Sequence, residues 1–379
     1  MDIDDQDERN DSRDMDIRNE VLLSLVPGIG PRLREQLLER FGSVESILSA
    51  APSDLRSTQG IGPKLSSRIA GAEREFDVDA ELALCAQHGI DIFLRADDAY
   101  PRSLREIPDP PGLLYVQGDL QPEDALSIAV VGTRHASAYG LRQAERLGGA
   151  LSRAGLTVVS GLARGVDAAA HRGALKAGGR TIAVLGSGLL RMYPPEHAKL
   201  AEEIRHQGAV ISESSPQTSP QAGLFPQRNR VISGMTLGTL VIEAGDRSGA
   251  LITARLAMEQ GREVFALPGN VDCRTARGCH RLLRDGAVLV EHVDDILEEL
   301  GPLVEGIENA SGEEIRHPAE LKLNEIETQV LQACTQEGAS VDLICEATGL
   351  PIHQILATLS VLEMRRLVRR SSGNRFARV

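Results

Sequence analysis

The sequence predicts an α/β protein in which a doubly wound parallel sheet occupies the middle of the chain, with a small helical domain before it and a winged helix after it. Three observations predict this. Between about 126 and 292, short apolar segments alternate with longer helical patterns, as in a parallel sheet covered on both faces. Near the N-terminus, two similar Gly-Ile-Gly-Pro turns each introduce a Leu/Ile-spaced helix. At the C-terminus, three short helical patterns precede two basic strands.

In chain order, residues 1–18 read as a disordered acidic leader. Residues 19–76 contain Val26-Pro27-Gly28-Ile29-Gly30-Pro31 and Gln59-Gly60-Ile61-Gly62-Pro63, which look like paired helix-hairpin-helix motifs of a SAM-like domain. Residues 77–125 form a connecting region with little regular patterning, stiffened by Pro101, Pro108, Pro110 and Pro111. The sheet domain spans 126–297, with strands at 127–131, 156–160, 181–185, 209–212, 239–243, 263–267 and 287–290. An acidic linker, 298–320, leads to the winged helix at 321–379. Its helices are Glu325–Gln336, Val341–Thr348 and Ile352–Met364, and Ser371-Ser372-Gly373-Asn374 joins the strands of its wing.

The formal charge of −13 looks unfavourable for a nucleic-acid partner, but it is localised. Residues 1–20 carry −6 and residues 298–327 carry −7, which leaves the rest of the chain neutral and free to hold a basic groove. Five scattered cysteines suit a reduced compartment better than a disulfide scaffold. With no apolar signal-peptide core and no apolar run long enough to span a bilayer, the expectation is a cytoplasmic protein without membrane contact.

The chemistry-bearing residues cluster in the sheet domain. Val130-Val131-Gly132-Thr133-Arg134 and Ser160-Gly161-Leu162-Ala163-Arg164-Gly165 each run from an apolar strand through glycine to arginine and into a helix. Glycine turns can free backbone N–H groups for an anion, a helix start adds its positive dipole end, and arginine offers a fork for phosphate oxygens. The alternative is ordinary glycine loops of a doubly wound sheet. In Phe225-Pro226-Gln227-Arg228-Asn229-Arg230, the ring can stack a base while arginines hold phosphates; alternatively Arg228 and Arg230 pair with Glu213 or Glu243. Arg247-Ser248-Gly249-Ala250-Leu251-Ile252-Thr253 is small enough for close backbone approach to a ligand. Gly28, Gly30, Gly60 and Gly62 could present amides to DNA phosphates, or merely permit tight connections. Arg366, Arg369 and Arg370 lie where a winged helix meets DNA, or form a basic surface for an acidic protein.

Other patterns point away from catalysis. Asp167 and His171, four apart on a helix, suit a structural pair better than an acid/base pair because no nucleophile is near. Cys273, Cys279 and His280 are too few and wrongly spaced for a metal site. A P-loop is absent, and Gly186-Ser187-Gly188 lacks the third glycine and acidic partner of a dinucleotide fingerprint. No cofactor is expected.

Taken together in this order, the stretches 131–134, 160–171, 181–194 with Tyr193-Pro194, Ser212-Glu213, 225–234, 247–254, 264–269 and 282–287 resemble the DNA-processing protein A family (DprA, also called Smf). The resemblance implies an extended Rossmann-like domain that binds single-stranded DNA without turnover, protects it during natural transformation and hands it to the RecA recombinase. It also implies a homodimer formed through that domain. Arg134 falls on the family's phosphate-binding arginine, and Lys199, Phe225, Arg228 and Arg230 fall in or near its basic, aromatic pocket. His280 stands where the family commonly has Asn. The rival readings are a phosphoribohydrolase-like enzyme with Glu243 as its carboxylate, and a double-strand-binding regulator acting through the winged helix.

Overall fold

The computed structural model describes residues 3–302, 307–308, 314–336, 338–371 and 375–379. Nine strands build one sheet: β1 (Asp91–Leu94), β2 (Leu113–Gly118), β3 (Ser127–Gly132), β4 (Thr157–Ser160), β5 (Thr181–Leu185), β6 (Gly208–Ser212), β7 (Gly238–Ile242), β8 (Glu263–Ala266) and β9 (Val288–Leu289). Their spatial order is β1-β2-β6-β5-β4-β3-β7-β8-β9. Strands β3 to β9 are parallel, while β1 and β2 extend one edge antiparallel. All seven strands expected from the apolar runs form, each within a residue of its expected ends. Successive residues of β3 serve opposite faces: Ile128 and Val130 join one apolar layer, Ala129 and Val131 the other.

The order reverses between β3 and β7. The chain leaves β3 through the helix Ala138–Arg153 towards β4 and returns to the other side of β3 after the helix Leu224–Gly234. Ligands of open α/β sheets bind at such a switch point. The helices Ala138–Arg153 and Val166–Lys176 pack almost backbone to backbone, because a Cβ at Gly148 would lie 2.5 Å from the Ala170 carbonyl oxygen and one at Gly173 would collide with that of Glu145.

Two expectations need correction. Residues 77–125 are not an unpatterned connector: they supply the helix Val78–Gln87 and the strands β1 and β2, with Tyr115 fully buried. Their order comes from pairing with β6 rather than from local periodicity, so the sequence alone hides it. The acidic leader is not disordered throughout either, since one helix spans Ile3–Leu25. Ion pairs of Arg13 with Asp97 (3.0 Å) and Arg18 with Asp79 (2.6 Å) tie its later part to the body of the molecule. Met1 and Asp2 lie outside the described residues.

The two N-terminal turns are related by a shift of 32 residues, Gly28 to Gly60 and Leu33 to Leu65. Both glycines have positive φ, +105° and +92°, where a side chain would strain the backbone. A Cβ on Gly28 would touch Leu65 at 3.5 Å and one on Gly60 would touch Leu33 at 3.9 Å, so a leucine from the helix of each hairpin lies beside the turn of the other.

At the far end, Glu325–Ala333, Val341–Thr348 and Ile352–Met364 are the three expected helices, the first shorter than expected. A hairpin pairs Val368–Ser371 with Arg375–Arg378, and the loop Ser372-Gly373-Asn374 lies outside the described residues. The acidic linker is more than a tether: Ile315 and Ala319 are buried in the apolar cluster that also holds Ile296 of the sheet domain and Ile355 of the tail. Residues 303–306 and 309–313 lie outside the described residues.

Candidate nucleic-acid interface

At the carboxyl ends of β3 and β7 the chain encloses an open cleft of about 670 Å³. One wall is the turn after β3, with Gly132, Thr133 and Arg134. Arg247, Ser248, Gly249 and Thr253 line the cleft from a second segment, and Phe225, Arg228 and Asn229 from a third. Three segments far apart in sequence therefore converge, and most of the sheet-domain residues singled out above lie in this one place.

Arg134 is exposed, and its guanidinium carbon lies 5.2 Å from the centre of the Phe225 ring. That ring stands 5.8 Å from Tyr193, tilted by 53°, and Arg164 lies 5.6 Å from the Tyr193 centre. Two adjacent rings are thus flanked by cations along one rim, Arg164 being paired with Glu196 and Arg134, among the described residues, not, an arrangement that combines phosphate contact with a surface for bases. Gly186 makes room for it, since a Cβ there would press on Phe225 at 3.0 Å. Tyr193 is not a candidate from composition or spacing; only its position opposite Phe225 gives it a role. Arg247 is exposed, and Arg134 and Arg247 form no ion pair among the described residues. Behind Arg247, Ser248 caps the helix Gly249–Glu259 by accepting the Ala250 N–H at 3.3 Å, so this helix start faces the cleft with its positive dipole end.

The backbone turns themselves are less available than expected. Gly161 and Ala163 donate their amides to the buried Asp167 carboxylate at 3.2 and 3.4 Å, which fills the second turn from within. In the first turn Thr133 N–H goes to the Glu243 carbonyl at 2.7 Å, and the Thr133 hydroxyl accepts the His135 N–H at 3.2 Å. The outward-facing donors are side chains. Ser160 is fully buried and donates to the Val130 carbonyl at 2.6 Å, while Gly165 packs against Thr133 and Arg134 as part of the same scaffold.

Arg228 lies beneath the cleft, almost fully buried, and donates to the carbonyls of Gly161 (2.9 Å) and Val184. Burial pushes its pKa down to about 10, against the pull of Asp167, so it stays cationic at neutral pH. Burial likewise raises the Asp167 carboxyl, opposed by Arg228 and the two loop amides. Arg230 points to the other side of its helix, where it pairs with Glu213 and, at 3.6 Å, with Asp109. Lys199 is exposed on the helix Ala198–His206 and is not among the cleft residues.

The residues considered for catalysis are engaged structurally. His171 is completely buried, with Nδ1 2.7 Å from the Thr181 hydroxyl. That hydroxyl donates to the Val158 carbonyl, so it accepts the Nδ1 proton, and burial holds the imidazole pKa down to about 3. Glu243 sits at φ +50°, and its carboxylate accepts the N–H and hydroxyl of Ser137 at 2.8 and 2.5 Å. Cys279 packs against the Val241 carbonyl, and His280 reaches the Gly269 carbonyl at 3.0 Å.

The family model for DNA recombination-mediator protein A matches residues 91–301. This chain belongs to that family. Models for a SAM-like helix-hairpin-helix tandem and for the DprA winged helix domain match residues 20–72 and 314–374. Protein Smf of Synechocystis is 35% identical over 94% of this chain and 97% of its own length. The X-ray structure of DNA processing protein A from Streptococcus pneumoniae, 37% identical, superposes with a TM-score of 0.66 over 75% of this chain and 98% of that one. A structure of the Helicobacter pylori protein, described for its single-stranded DNA binding mode, is 29% identical with a TM-score of 0.50 over 55% of this chain and 93% of that one.

The flanking candidates of this family member are placed differently from the cleft. Gly28 and Gly30 line a second cleft, about 500 Å³, between the first hairpin and the sheet domain, whereas Gly60 and Gly62 face solvent beside the exposed Lys64. In the winged helix, Arg366, Arg369 and Arg370 are exposed, while Arg365 pairs with Glu327 at 3.3 Å and Arg378 with Glu320. The third helix, Ile352–Met364, shows Ile352 and Leu356 to solvent and contains no Lys or Arg.

Proposed function

We propose that this protein is a non-enzymatic, cytoplasmic single-stranded-DNA-binding protein that shields exposed or incoming strands and delivers them to a RecA-type recombinase. It acts as a homodimer, in homologous recombination or natural transformation. The observation that carries this reading is the exposed Arg134 against the Phe225 ring in a cleft that also presents Arg247 and a helix start. A ring and unpaired arginines side by side suit any base on any phosphate, which is binding without sequence preference. The single-strand binding described for the Helicobacter pylori relative supports the same assignment. The hydrolase reading is disfavoured because Ser137 already engages the Glu243 carboxylate. The double-strand regulator is disfavoured because the third helix of the winged-helix domain carries no Lys or Arg.

The test is fluorescence anisotropy with labelled single- and double-stranded oligonucleotides over a salt series. Wild type is expected to prefer the single strand. Arg134→Ala should lose most of that affinity, with the slope of log K against log salt shallower by about 0.7 for the lost phosphate contact. Undiminished binding by a folded Arg134→Ala protein would move the site out of the cleft. Release of free base from a nucleoside monophosphate would revive the hydrolase.

A further inference from the structure

Beyond the cleft, exposed arginines continue. Arg274 lies in the loop after β8, and Arg277, Arg281 and Arg284 lie on the helix Arg277–Arg284. At 100° per residue their spacings place the last three within about 60° of each other, which makes a single stripe. The opposite face fixes its orientation: Gly278, Cys279 and Leu282 are buried, and Gly278 donates its amide to the Ala244 carbonyl at 2.8 Å. All four arginines are exposed, and none forms an ion pair among the described residues.

The stripe begins where the cleft ends. Thr275 is a cleft residue together with Arg247, and the Arg274 carbonyl lies 3.8 Å from where a Cβ on Gly245 would sit. Arg134, Arg247, Arg274, Arg277, Arg281 and Arg284 face three carboxylates on the same segments, Asp246, Asp272 and Asp285. Between 274 and 284 the exposed residues are these four arginines, and the exposed apolar side chains Val271 and Leu289 lie outside the stripe. A polyanion needs only the charge that the stripe itself supplies.

We propose that this stripe carries the sugar-phosphate backbone of a single strand out of the cleft, so that cleft and helix form one continuous track. The proposal rests on the single-stranded-DNA reading of the cleft. From Arg277 to Arg284 the helix rises about 10 Å, enough for a few successive phosphates.

Oligothymidylates of graded length distinguish the two claims, with full-length wild type compared with Arg277→Gln/Arg281→Gln/Arg284→Gln and with Arg134→Ala. Glutamine keeps the helix and removes the charge. The triple variant is expected to bind the shortest oligomer that wild type holds with equal affinity. On long oligomers it should lose about tenfold, with a salt slope shallower by about 2. Equal binding by wild type and triple variant at every length would overturn the proposal. So would equal weakening at every length, or better competition by polyglutamate than by unlabelled oligothymidylate. Loss in the triple variant with full binding by Arg134→Ala would overturn the continuous track and the cleft reading together, leaving the helix as a separate site. Failure of wild type to bind any oligomer would refute the cleft reading, and the track would fall with it.

Discussion

Phe225 is the side chain on which the base-binding half of the site depends, because Arg134 and Tyr193 are arranged around its ring. Phe225→Leu keeps an apolar group beside Gly186 but removes the π-face. It should cost about 1–3 kcal/mol of single-strand affinity in anisotropy with an unchanged melting temperature. His171 gives a second expectation, in stability. Burial holds its folded pKa down to about 3, well below that of a free imidazole, so the unfolded chain takes up the proton first as pH falls. Stability from this group is complete above about pH 6.5 and is lost progressively as pH falls towards 3. His171→Asn should therefore show a shallower decline in urea midpoint over that range than wild type. At this scale the sequence is an uneven guide. Arg134 is legible because its glycine turn follows a strand. Arg228 and Arg230 look alike in sequence and are equally buried, yet one supports the cleft floor and the other neutralises Glu213 and Asp109, a difference decided by the side of the helix each occupies.

The loop beside the cleft rests on packed helices. Val166–Lys176 follows the loop that holds Asp167's amide partners and packs against Ala138–Arg153 through Gly148 and Gly173. Gly173→Ala would drive a methyl into the Glu145 carbonyl and separate the two helices. The expected result is a lower melting temperature, by several degrees, together with weaker single-strand binding, although residue 173 touches no ligand. Gly178→Ala is a poor control because its φ is +76°, whereas Gly301, outside the cleft and free of neighbours within 4 Å, tolerates the extra methyl sterically. The parallel strands were legible because strands buried on both faces are continuously apolar. Strands β1 and β2 were not, since their order depends on β6, over ninety residues from Leu113. The occupied amides of the second turn were equally hidden. Asp167 reads as a surface helix residue until its loop folds back over it.

Across the whole molecule the tail is continuous with the core. Val330, Ile344, Ile355 and Leu362 share one apolar cluster with Val293 and Ile296, and Lys322 reaches Asp294 at 2.8 Å. Deleting 321–379 should therefore lower the melting temperature of what remains and promote aggregation in light scattering. The winged helix is better tested in the intact chain with Arg366→Gln/Arg369→Gln, for which unchanged double-strand binding is expected. The domain order was readable from composition and punctuation, but this continuity was not, because Ile315 and Ala319 sit in a stretch whose charge suggests a solvated tether. The N-terminal pair of hairpins carries one more consequence. A leucine from each half lies beside the turn of the other, so a solitary copy would be half a fold and would depend on meeting a second chain. Two copies in tandem turn that encounter into an intramolecular one, with an effective concentration set by a short connection instead of by abundance in the cell.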